Sequence, residues 1–353
     1  MKKLALILGL LISLLFLSSC ATKDADKSDN TVPKNGSDST QTRTIADYYP
    51  FKENIKYVYE GQGNEYASYT VFVDYTTENR CQLRINNGGT EMVKIMENKD
   101  GQLTQLLSRG ECYYRENLTR ISAENQEILL KEPLQEGTSW ILADNRIRYI
   151  SKEEVEVSTP SGTYMTLEVT TEGQDDKVVD YYAPDIGLVK TVFTSEGTEI
   201  SSALSKIEDN AVFTQSVRYY YPNVDGVTLN YTDKQLSFHT NDITKIVLEN
   251  AYKEVPEGPV GRVLSPNARF ISLYLNKDNM VYADFGKQLV SEMNAGAGFE
   301  GMILQCLTNT LGLYYGVDKV YLTVEGEPYS SGHFMMNKGE VFTVDLKNSA
   351  ALE

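Results

Sequence analysis

The sequence predicts an α+β protein in which a mostly antiparallel β domain is followed by a smaller α+β domain. Two observations predict this order. Over residues 47–208, apolar side chains recur at every second position, which is the period of half-buried strands. Over residues 209–347, segments with helical spacing are set among short strands, which is typical of helices layered on a sheet.

The first residues of the chain predict export and lipid anchoring. Lys2 and Lys3 precede an apolar run from Leu4 to Leu17, which describes a signal peptide over residues 1–19 rather than a spanning helix. The segment Leu17-Ser18-Ser19-Cys20 resembles the lipobox of bacterial lipoproteins. That resemblance implies lipidation of Cys20, with palmitate as an acyl chain, and a location at the extracytoplasmic face of the cell membrane. The alternative is a secreted protein with an incidental cysteine.

Residues 20–46 comprise the lipidated Cys20 and a polar tether. With so few apolar side chains, this segment cannot offset the entropy lost on ordering, so we expect it to be disordered. The whole chain contains 33 basic and 49 acidic residues, with a formal net charge of −16. This balance excludes a nucleic-acid surface, which needs basic side chains to neutralise phosphates. A lipid bilayer is therefore expected as a partner only through Cys20.

Strands of the β domain are predicted by alternation and bounded by turns. Residues 69–75 and 80–85 alternate, and Asn86-Asn87-Gly88-Gly89 follows as a turn signal. Only Ile121 to Leu130 suggests a short helix. We expect a twisted antiparallel sheet, either a half-barrel or a sandwich.

Three cysteines follow Cys20 in the sequence. Outside the cytoplasm a disulfide between Cys81 and Cys112 is chemically permitted, but two buried free thiols fit the sequence equally well. Cys306 lies among apolar helix positions and is expected to be a small core residue.

Two helices are predicted in the second domain. Asn241 or Asp242 would cap the first, with an apolar face made of Ile243, Ile246, Val247 and Ala251. The second would run from Phe299 to Tyr315 and end at Gly316, a residue suited to a left-handed C-cap. Its buried stripe would contain Ile303, Cys306, Leu307, Thr310, Leu311 and Tyr314. Strands are expected at Val217–Tyr221, Leu229–Phe238, Phe270–Leu275, Val281–Phe285 and Lys319–Val324, and residues 348–353 are expected to form a tail.

Several of these elements resemble segments of a known domain family. Val217-Arg218-Tyr219-Tyr220-Tyr221-Pro222, Val281-Tyr282-Ala283-Asp284-Phe285, Leu307-Thr308-Asn309-Thr310-Leu311 and Gly316-Val317-Asp318-Lys319-Val320 are similar in order and register to the GerMN domain. The family occurs in sporulation and germination proteins and in envelope lipoproteins. The resemblance implies a fold like that of ring-building motifs, a role as an interaction module, and a partner protein in the envelope or the sporulation machinery. Residues 48–207 lack the helices of a second copy.

Motifs that carry chemistry are not evident in the sequence. The two histidines, His239 and His333, have no zinc-ligand spacing, and there is no nucleophile elbow or phosphate loop. The segment Asn98 to Gly101 resembles part of a calcium loop, but Leu107 stands where the closing Glu belongs. We therefore expect no catalytic residue, no bound metal, no cofactor and no enzyme activity.

Three functions remain open from the sequence. The first is a membrane-anchored interaction protein of the envelope, active in sporulation or germination. The second is a protein that binds or processes peptidoglycan or another glycan. The third is a lipoprotein whose β sheet curls around a lipid or small molecule. A deep apolar cavity in the β domain would favour the third. The 24 tyrosines suit both strands and binding surfaces.

Overall fold

The computed structural model describes residues 43–352. Its first part, the β domain, contains α1 (Ile45–Tyr48), β1 (Ile55–Gln62), β2 (Tyr69–Thr76), β3 (Arg80–Asn86), β4 (Glu91–Lys99), β5 (Gln102–Arg109), β6 (Glu127–Lys131), β7 (Ser139–Ile141), β8 (Ile147–Thr159), β9 (Gly162–Glu172), β10 (Asp176–Ala183), β11 (Gly187–Ser195) and β12 (Thr198–Asp209). Its second part, the C-terminal domain, contains β13 (Phe213–Pro222), β14 (Leu229–Phe238), α2 (Thr244–Lys253), β15 (Phe270–Leu275), β16 (Val281–Phe285), α3 (Gln288–Ser291), α4 (Ala297–Tyr315), β17 (Lys319–Val324), β18 (Glu327–Pro328), β19 (Phe342–Thr343) and β20 (Ser349–Ala351). This order confirms the predicted fold class.

Strands β1 to β12 form one sheet, in the order β6-β5-β4-β3-β2-β1-β12-β11-β10-β9-β8-β7, and every neighbouring pair is antiparallel. The end strands β6 and β7 approach each other through side chains. Trp140 Nε1 and Arg148 Nη1 donate to the carbonyl oxygen of Ile128, at 3.0 and 2.7 Å. The sheet therefore curls into a nearly closed barrel, and we call this junction of β6 with β7 and β8 the seam.

The short helix suggested for residues 121–130 is wrong. Glu127–Lys131 is strand β6, which pairs with β5, and the residues before it form turns and irregular structure. Leu130 is fully buried in the inner face of the barrel. The preference for pairing at the sheet edge and for burial outweighs the helical spacing of this segment, because tertiary contacts routinely override local propensity.

The two faces of the sheet carry separate apolar clusters. The inner cluster, inside the barrel, includes Val73, Cys81, Leu83, Met96, Leu167 and Val189. The outer cluster consists of Val93, Ile95, Leu106, Leu107 and Cys112. Because successive residues of a strand point to opposite faces, Val93 and Ile95 of β4 face outward while Met96 faces inward.

The separation of the two clusters explains why Cys81 and Cys112 are not bonded to each other. Cys81 lies in the inner cluster and Cys112 in the outer cluster, and both are free thiols in the structure. The disulfide that the sequence permits between Cys81 and Cys112 is therefore absent from the described residues, since the sheet stands between the two side chains. Cys306 is also a buried free thiol, and burial raises the pKa of all three.

The C-terminal domain packs helix α4 against two small sheets. One has the order β13-β14-β20, and the other has the order β15-β16-β17-β18, with β19 paired to β17. The predicted stripe of α4 is buried, and Gly316 ends the helix with φ 69° in the left-handed region, as expected. Thr310 Oγ1 accepts a hydrogen bond from Tyr220 N at 3.0 Å, which fixes α4 against β13.

Helix α2 buries only part of the predicted face, in which Ala251 is buried and Val247 packs against the core. Its buried side chains include Leu248, Ala251 and Tyr252, whereas Ile243 and Ile246 are 55% and 45% exposed. The physical reason lies in the β domain, because the Thr244 hydroxyl is buried there against the side chains described below. The predicted caps are also wrong: the N-cap residue is Ile243, and it provides no side-chain hydrogen bond.

The predicted limits of the folded region are wrong at both ends. Ile45, placed in the tether by the sequence, is 1% exposed, and its backbone N donates to Glu132 Oε1 at 3.1 Å. Residues Ser349–Ala351, placed in the tail, form β20 and pair in parallel with β14. The folded part therefore begins before residue 46 and continues beyond residue 347.

A buried ionic cluster joins the β domain to the C-terminal domain. Asp74 and Arg115 are 0% exposed and Arg84 is 2% exposed. The Asp74 carboxylate lies 3.0 Å from Arg84 Nη2 and 3.5 Å from Arg115 Nε. Arg115 in turn donates to the backbone oxygens of Asp242 at 2.5 Å and His239 at 3.1 Å. The Arg115 charge is thus neutralised within the β domain, while its guanidinium is hydrogen-bonded to the backbone of the C-terminal domain.

Polar side chains extend this junction to helix α2. Arg115 Nη1 also donates to the hydroxyls of Tyr75 and Thr244, at 2.7 and 3.1 Å, and these two hydroxyls lie 2.9 Å apart. The first turn of α2 is held with Thr244 inward, which turns Ile243 and Ile246 toward solvent.

None of the helices between residues 43 and 352 is long and apolar enough to cross a membrane.

Candidate functional site

The barrel encloses a cavity of about 590 Å³ on its inner face. Its walls come from alternate residues of neighbouring strands, as the period-two pattern requires. Tyr66 and Ser108 line the cavity and are themselves exposed, so the cavity reaches solvent on that side. Its apolar wall includes Val71, Val73, Leu83, Met92, Met96 and Leu188.

Tyrosines form the aromatic part of the cavity wall. The rings of Tyr59 and Tyr69 stack at 4.5 Å between centroids, and the Tyr59 hydroxyl donates to the carbonyl of Leu188 at 2.7 Å. The hydroxyls of Tyr69 and Tyr182 make no hydrogen bond to any residue in the range 43–352, and burial raises the pKa of both. Both hydroxyls are accessible from the cavity, so each can donate a hydrogen bond to water or to a bound molecule.

Four charged side chains also line the cavity. Arg148 Nη2 and Glu127 Oε1 form an ion pair at 2.6 Å, and Arg148 Nε donates to Thr171 Oγ1 at 2.6 Å. Asp180 accepts from Thr191 Oγ1 at 2.6 Å. The fourth is Lys94.

Burial shifts the pKa of two of these groups toward the neutral form. The pKa of Asp180 is raised by burial, against the hydrogen bond from Thr191 and the positive charges of Arg148 and Lys94. The pKa of Lys94 is lowered by burial, against the negative charges of Glu127 and Asp180. The cavity is therefore an aromatic and apolar pocket with a few polar groups, which is the composition typical of a small-molecule site.

A second cleft lies in the C-terminal domain and measures about 460 Å³. Glu300 lines it and is 3% exposed. Its carboxylate accepts from the Tyr329 hydroxyl at 2.7 Å and lies 2.7 Å from His333 Nδ1. Burial alone would raise the pKa of Glu300, but hydrogen bonds from Ser331, His333 and Tyr329 outweigh it and lower the pKa.

The structure places the residues singled out in the sequence as follows. His333 contacts Glu300, and the exposed His239 lies 3.6 Å from Asp242. No group of three metal-binding side chains occurs among residues 43–352. Cys20 lies outside the described residues. Lys94, Gln105 and Asp180 were not identified from the sequence, although each is a polar residue at an inward position of an alternating strand.

Comparisons with known proteins concern the C-terminal domain first. Residues 218–330 match the family model Germane, described as sporulation and spore germination. This span contains the segments that resemble GerMN. No curated protein matches the chain at the significance applied.

Solved structures give weaker likenesses. One is an exported protein with a YmcC-like fold from Bacteroides fragilis (13% identity, 46% of this chain, 99% of that chain, TM-score 0.29). Another is the first GerMN domain of the sporulation protein GerM from Bacillus subtilis (23% identity, 32% of this chain, 85% of that chain, TM-score 0.26). A third is described as a lipoprotein from Parabacteroides distasonis (13% identity, 46% of this chain, 98% of that chain, TM-score 0.27).

All three TM-scores lie below 0.5, so nothing about function follows from these likenesses. The family model covers a well-defined part of the chain and agrees with the segments quoted from the sequence. The resemblance predicted for the C-terminal domain is therefore confirmed: residues 218–330 of this chain are similar to the Germane family of sporulation and spore germination.

Proposed function

We propose that this protein is an extracytoplasmic, lipid-anchored envelope protein that binds a small amphipathic molecule inside its β domain. The C-terminal domain would contact a partner protein of the envelope or of the sporulation machinery. The observation that carries the proposal is the barrel cavity of about 590 Å³. Protein interiors are close-packed, and a space of this size with polar groups directed into it is typical of a ligand site.

The chemistry of the cavity wall supports an amphipathic ligand. Met92, Met96 and Leu83 offer an apolar surface, and methionine adapts to ligands of irregular shape. The hydroxyls of Tyr69 and Tyr182 offer hydrogen-bond donors beside that surface. A purely apolar molecule would leave these donors without partners, whereas a strongly polar molecule would gain little from the apolar wall.

The glycan alternative receives less support. A wall-processing enzyme would need two available carboxylates close together. In the cavity, Glu127 is paired with Arg148 and Asp180 accepts from Thr191, so both carboxylates already have structural partners. Peptidoglycan remains the alternative partner for the surface of the protein, and its binding is not needed to explain the cavity.

A substitution at the exposed side of the cavity tests this proposal. Met92 lies on the inner face near the opening, where Ser108 Oγ is 3.3 Å from its sulfur. We expect Met92→Trp to obstruct the cavity near its opening and to weaken binding of dodecanol, measured by titration calorimetry, by about tenfold or more. Met165→Trp is the matched control, because Met165 is 48% exposed and lies on β9 away from the cavity.

The outcomes of this titration are distinct. Binding that is weakened by Met92→Trp and unchanged by Met165→Trp supports a ligand site in the barrel. No binding of dodecanol or of the charged dodecanoate to the unsubstituted protein contradicts the proposed function. Equal binding by all three proteins would place the contact on the outer surface and would also contradict it.

Lipid anchoring requires its own experiment. We expect Cys20→Ala to move the protein from the membrane fraction to the soluble fraction of cells, because two acyl chains hold a protein at a bilayer and none remain in this variant. Ser19→Ala is the control, since a small residue is kept before the cysteine. Unchanged fractionation of Cys20→Ala would show that the protein is not anchored through this residue.

A further inference from the structure

Lys94 differs from every other charged group of the cavity. It lies on the inner face of β4 between Met92 and Met96, and it lines the cavity. Its ammonium forms no hydrogen bond and no salt bridge with any residue from Arg43 to Leu352. Arg148, in contrast, is bonded to Glu127, Thr171 and the carbonyl of Ile128. Lys94 is thus the cation of the cavity that is available to a ligand.

The surroundings of Lys94 make this arrangement costly without a ligand. An ammonium removed from bulk water loses solvation, and the lowered pKa of Lys94 has this cause. Glu127 and Asp180 are near enough to act on it electrostatically, but neither lies within salt-bridge distance. Glu127 is occupied by Arg148, and Asp180 is hydrogen-bonded to Thr191.

We infer that Lys94 binds the anionic head group of the ligand, so that the molecule held in the barrel is an amphipathic anion with a carboxylate or phosphate head. This inference rests on the proposed function. The head oxygens would accept hydrogen bonds from Lys94 and from the buried Gln105 amide, which also lines the cavity. The apolar chain would lie against Leu83 and Met96, where it remains shielded from water.

Because the protein is strongly acidic overall, we expect it to prefer an anionic head group only inside the cavity. The formal net charge of −16 repels anions from the surface at long range. An anion therefore gains its attraction only on reaching Lys94, where a charge-assisted hydrogen bond is strong and the nearby carboxylates of Glu127 and Asp180 are held by Arg148 and Thr191. A small anion without an apolar chain would gain this contact but none of the apolar burial.

The test compares ligands that differ only in the head group or only in the chain. Dodecanoate, dodecanol and acetate are titrated into the protein at pH 7. We expect dodecanoate to bind about tenfold or more tightly than dodecanol, because charge-assisted hydrogen bonds contribute more than neutral ones. Acetate should bind at least about a hundredfold more weakly than dodecanoate, since it buries almost no apolar surface.

Variants at position 94 assign this preference to one residue. Lys94→Met keeps the apolar stem and should remove the preference for dodecanoate, whereas Lys94→Arg keeps the charge and should retain it. Lys177→Met is the matched control, because Lys177 is an exposed lysine of β10 that does not line the cavity. Thermal unfolding of each variant shows whether it is folded, and Lys94→Gln, which also removes the charge and should also remove the preference, provides the test if Lys94→Met is not.

The results separate this inference from the proposed function. Equal affinities for dodecanoate and dodecanol overturn the role of Lys94 and leave the ligand site in place. A preference for dodecanoate that survives in Lys94→Met also overturns it. Acetate binding as tightly as dodecanoate would identify a site for free anions and contradict an amphipathic ligand. No binding of either twelve-carbon molecule contradicts the proposed function itself.

Discussion

The two domains differ in what their tyrosines surround. In the C-terminal domain, Tyr219 donates to the carbonyl of Leu248 at 3.1 Å, and Tyr252 donates to that of Tyr220 at 2.8 Å, within a continuous apolar core. In the barrel, tyrosines surround open space. The difference follows from what covers each sheet: α4 covers β13, whereas the inner face of the barrel is covered mostly by other parts of the same curved sheet, together with α1 and residues 49–51.

This comparison teaches that residue type does not decide whether an interior is a core or a site. Aromatic side chains in a sheet pack tightly when a helix supplies the complementary surface. When a sheet instead curves onto itself, the space left at its axis depends on its width and curvature. The barrel can therefore hold a ligand while the neighbouring domain, which is equally rich in tyrosine, remains filled.

The largest expected effect comes from breaking the junction between the domains. Arg115→Met removes the guanidinium that connects Asp74 with the backbone of His239 and Asp242. We expect a loss of about 3–5 kcal/mol in the free energy of unfolding, because Asp74 keeps a buried charge with one partner fewer. Arg120→Met is the control, since Arg120 is exposed.

Two probes of urea unfolding make this experiment specific to the junction. Trp140 is the single tryptophan of the chain and lies in β7, so its fluorescence reports on the β domain. Circular dichroism also reports on the helices of the C-terminal domain. We expect the two transitions to coincide in the unsubstituted protein and to separate in Arg115→Met. A loss below 1 kcal/mol, with coincident transitions, would show that the junction does not couple the domains.

A smaller effect compares the two interiors directly. Leu307 is 0% exposed in the core of the C-terminal domain, and Leu83 lines the barrel cavity at 8% exposure. We expect Leu307→Ala to cost about 2–5 kcal/mol, and Leu83→Ala to cost less by about 1 kcal/mol or more. The reason is that Leu307→Ala creates a new void, while Leu83→Ala enlarges a space that already exists.

Denaturant titrations of the two leucine variants provide the measurement. Equal losses would mean that the barrel interior is packed like a core in solution, which would contradict the cavity. A larger loss for Leu83→Ala would have the same meaning. The predicted order, with Leu307→Ala more destabilising, would support an open interior in one domain and a filled interior in the other.

Local patterns predicted the elements whose partners are nearby in the sequence. The stripe of α4 and its end at Gly316 follow from spacing and from the left-handed C-cap, and both are confirmed. The alternating strands of the β domain follow from period two. Each of these signals is contained within about twenty residues, so no distant contact is needed to interpret it.

Elements that depend on distant contacts were not predicted correctly. The buried face of α2 is set by Arg115 and Tyr75, which lie more than a hundred residues before Thr244. Residues Glu127–Lys131 form strand β6 because β5 and the inner face of the barrel provide partners. The cavity depends on the approach of β6 to β7, which alternation does not specify. One local signal was available: Lys94 occupies an inward position between two methionines.

The seam differs from the rest of the barrel wall in the contacts that hold it closed. Elsewhere around the barrel, neighbouring strands are joined by ladders of backbone hydrogen bonds, which open only when several bonds break together. At the seam, Trp140 and Arg148 both donate to the carbonyl of Ile128, and Arg148 also pairs with Glu127 at 2.6 Å. We therefore expect the barrel to open first along the seam, where side chains and not a ladder of backbone hydrogen bonds close the wall.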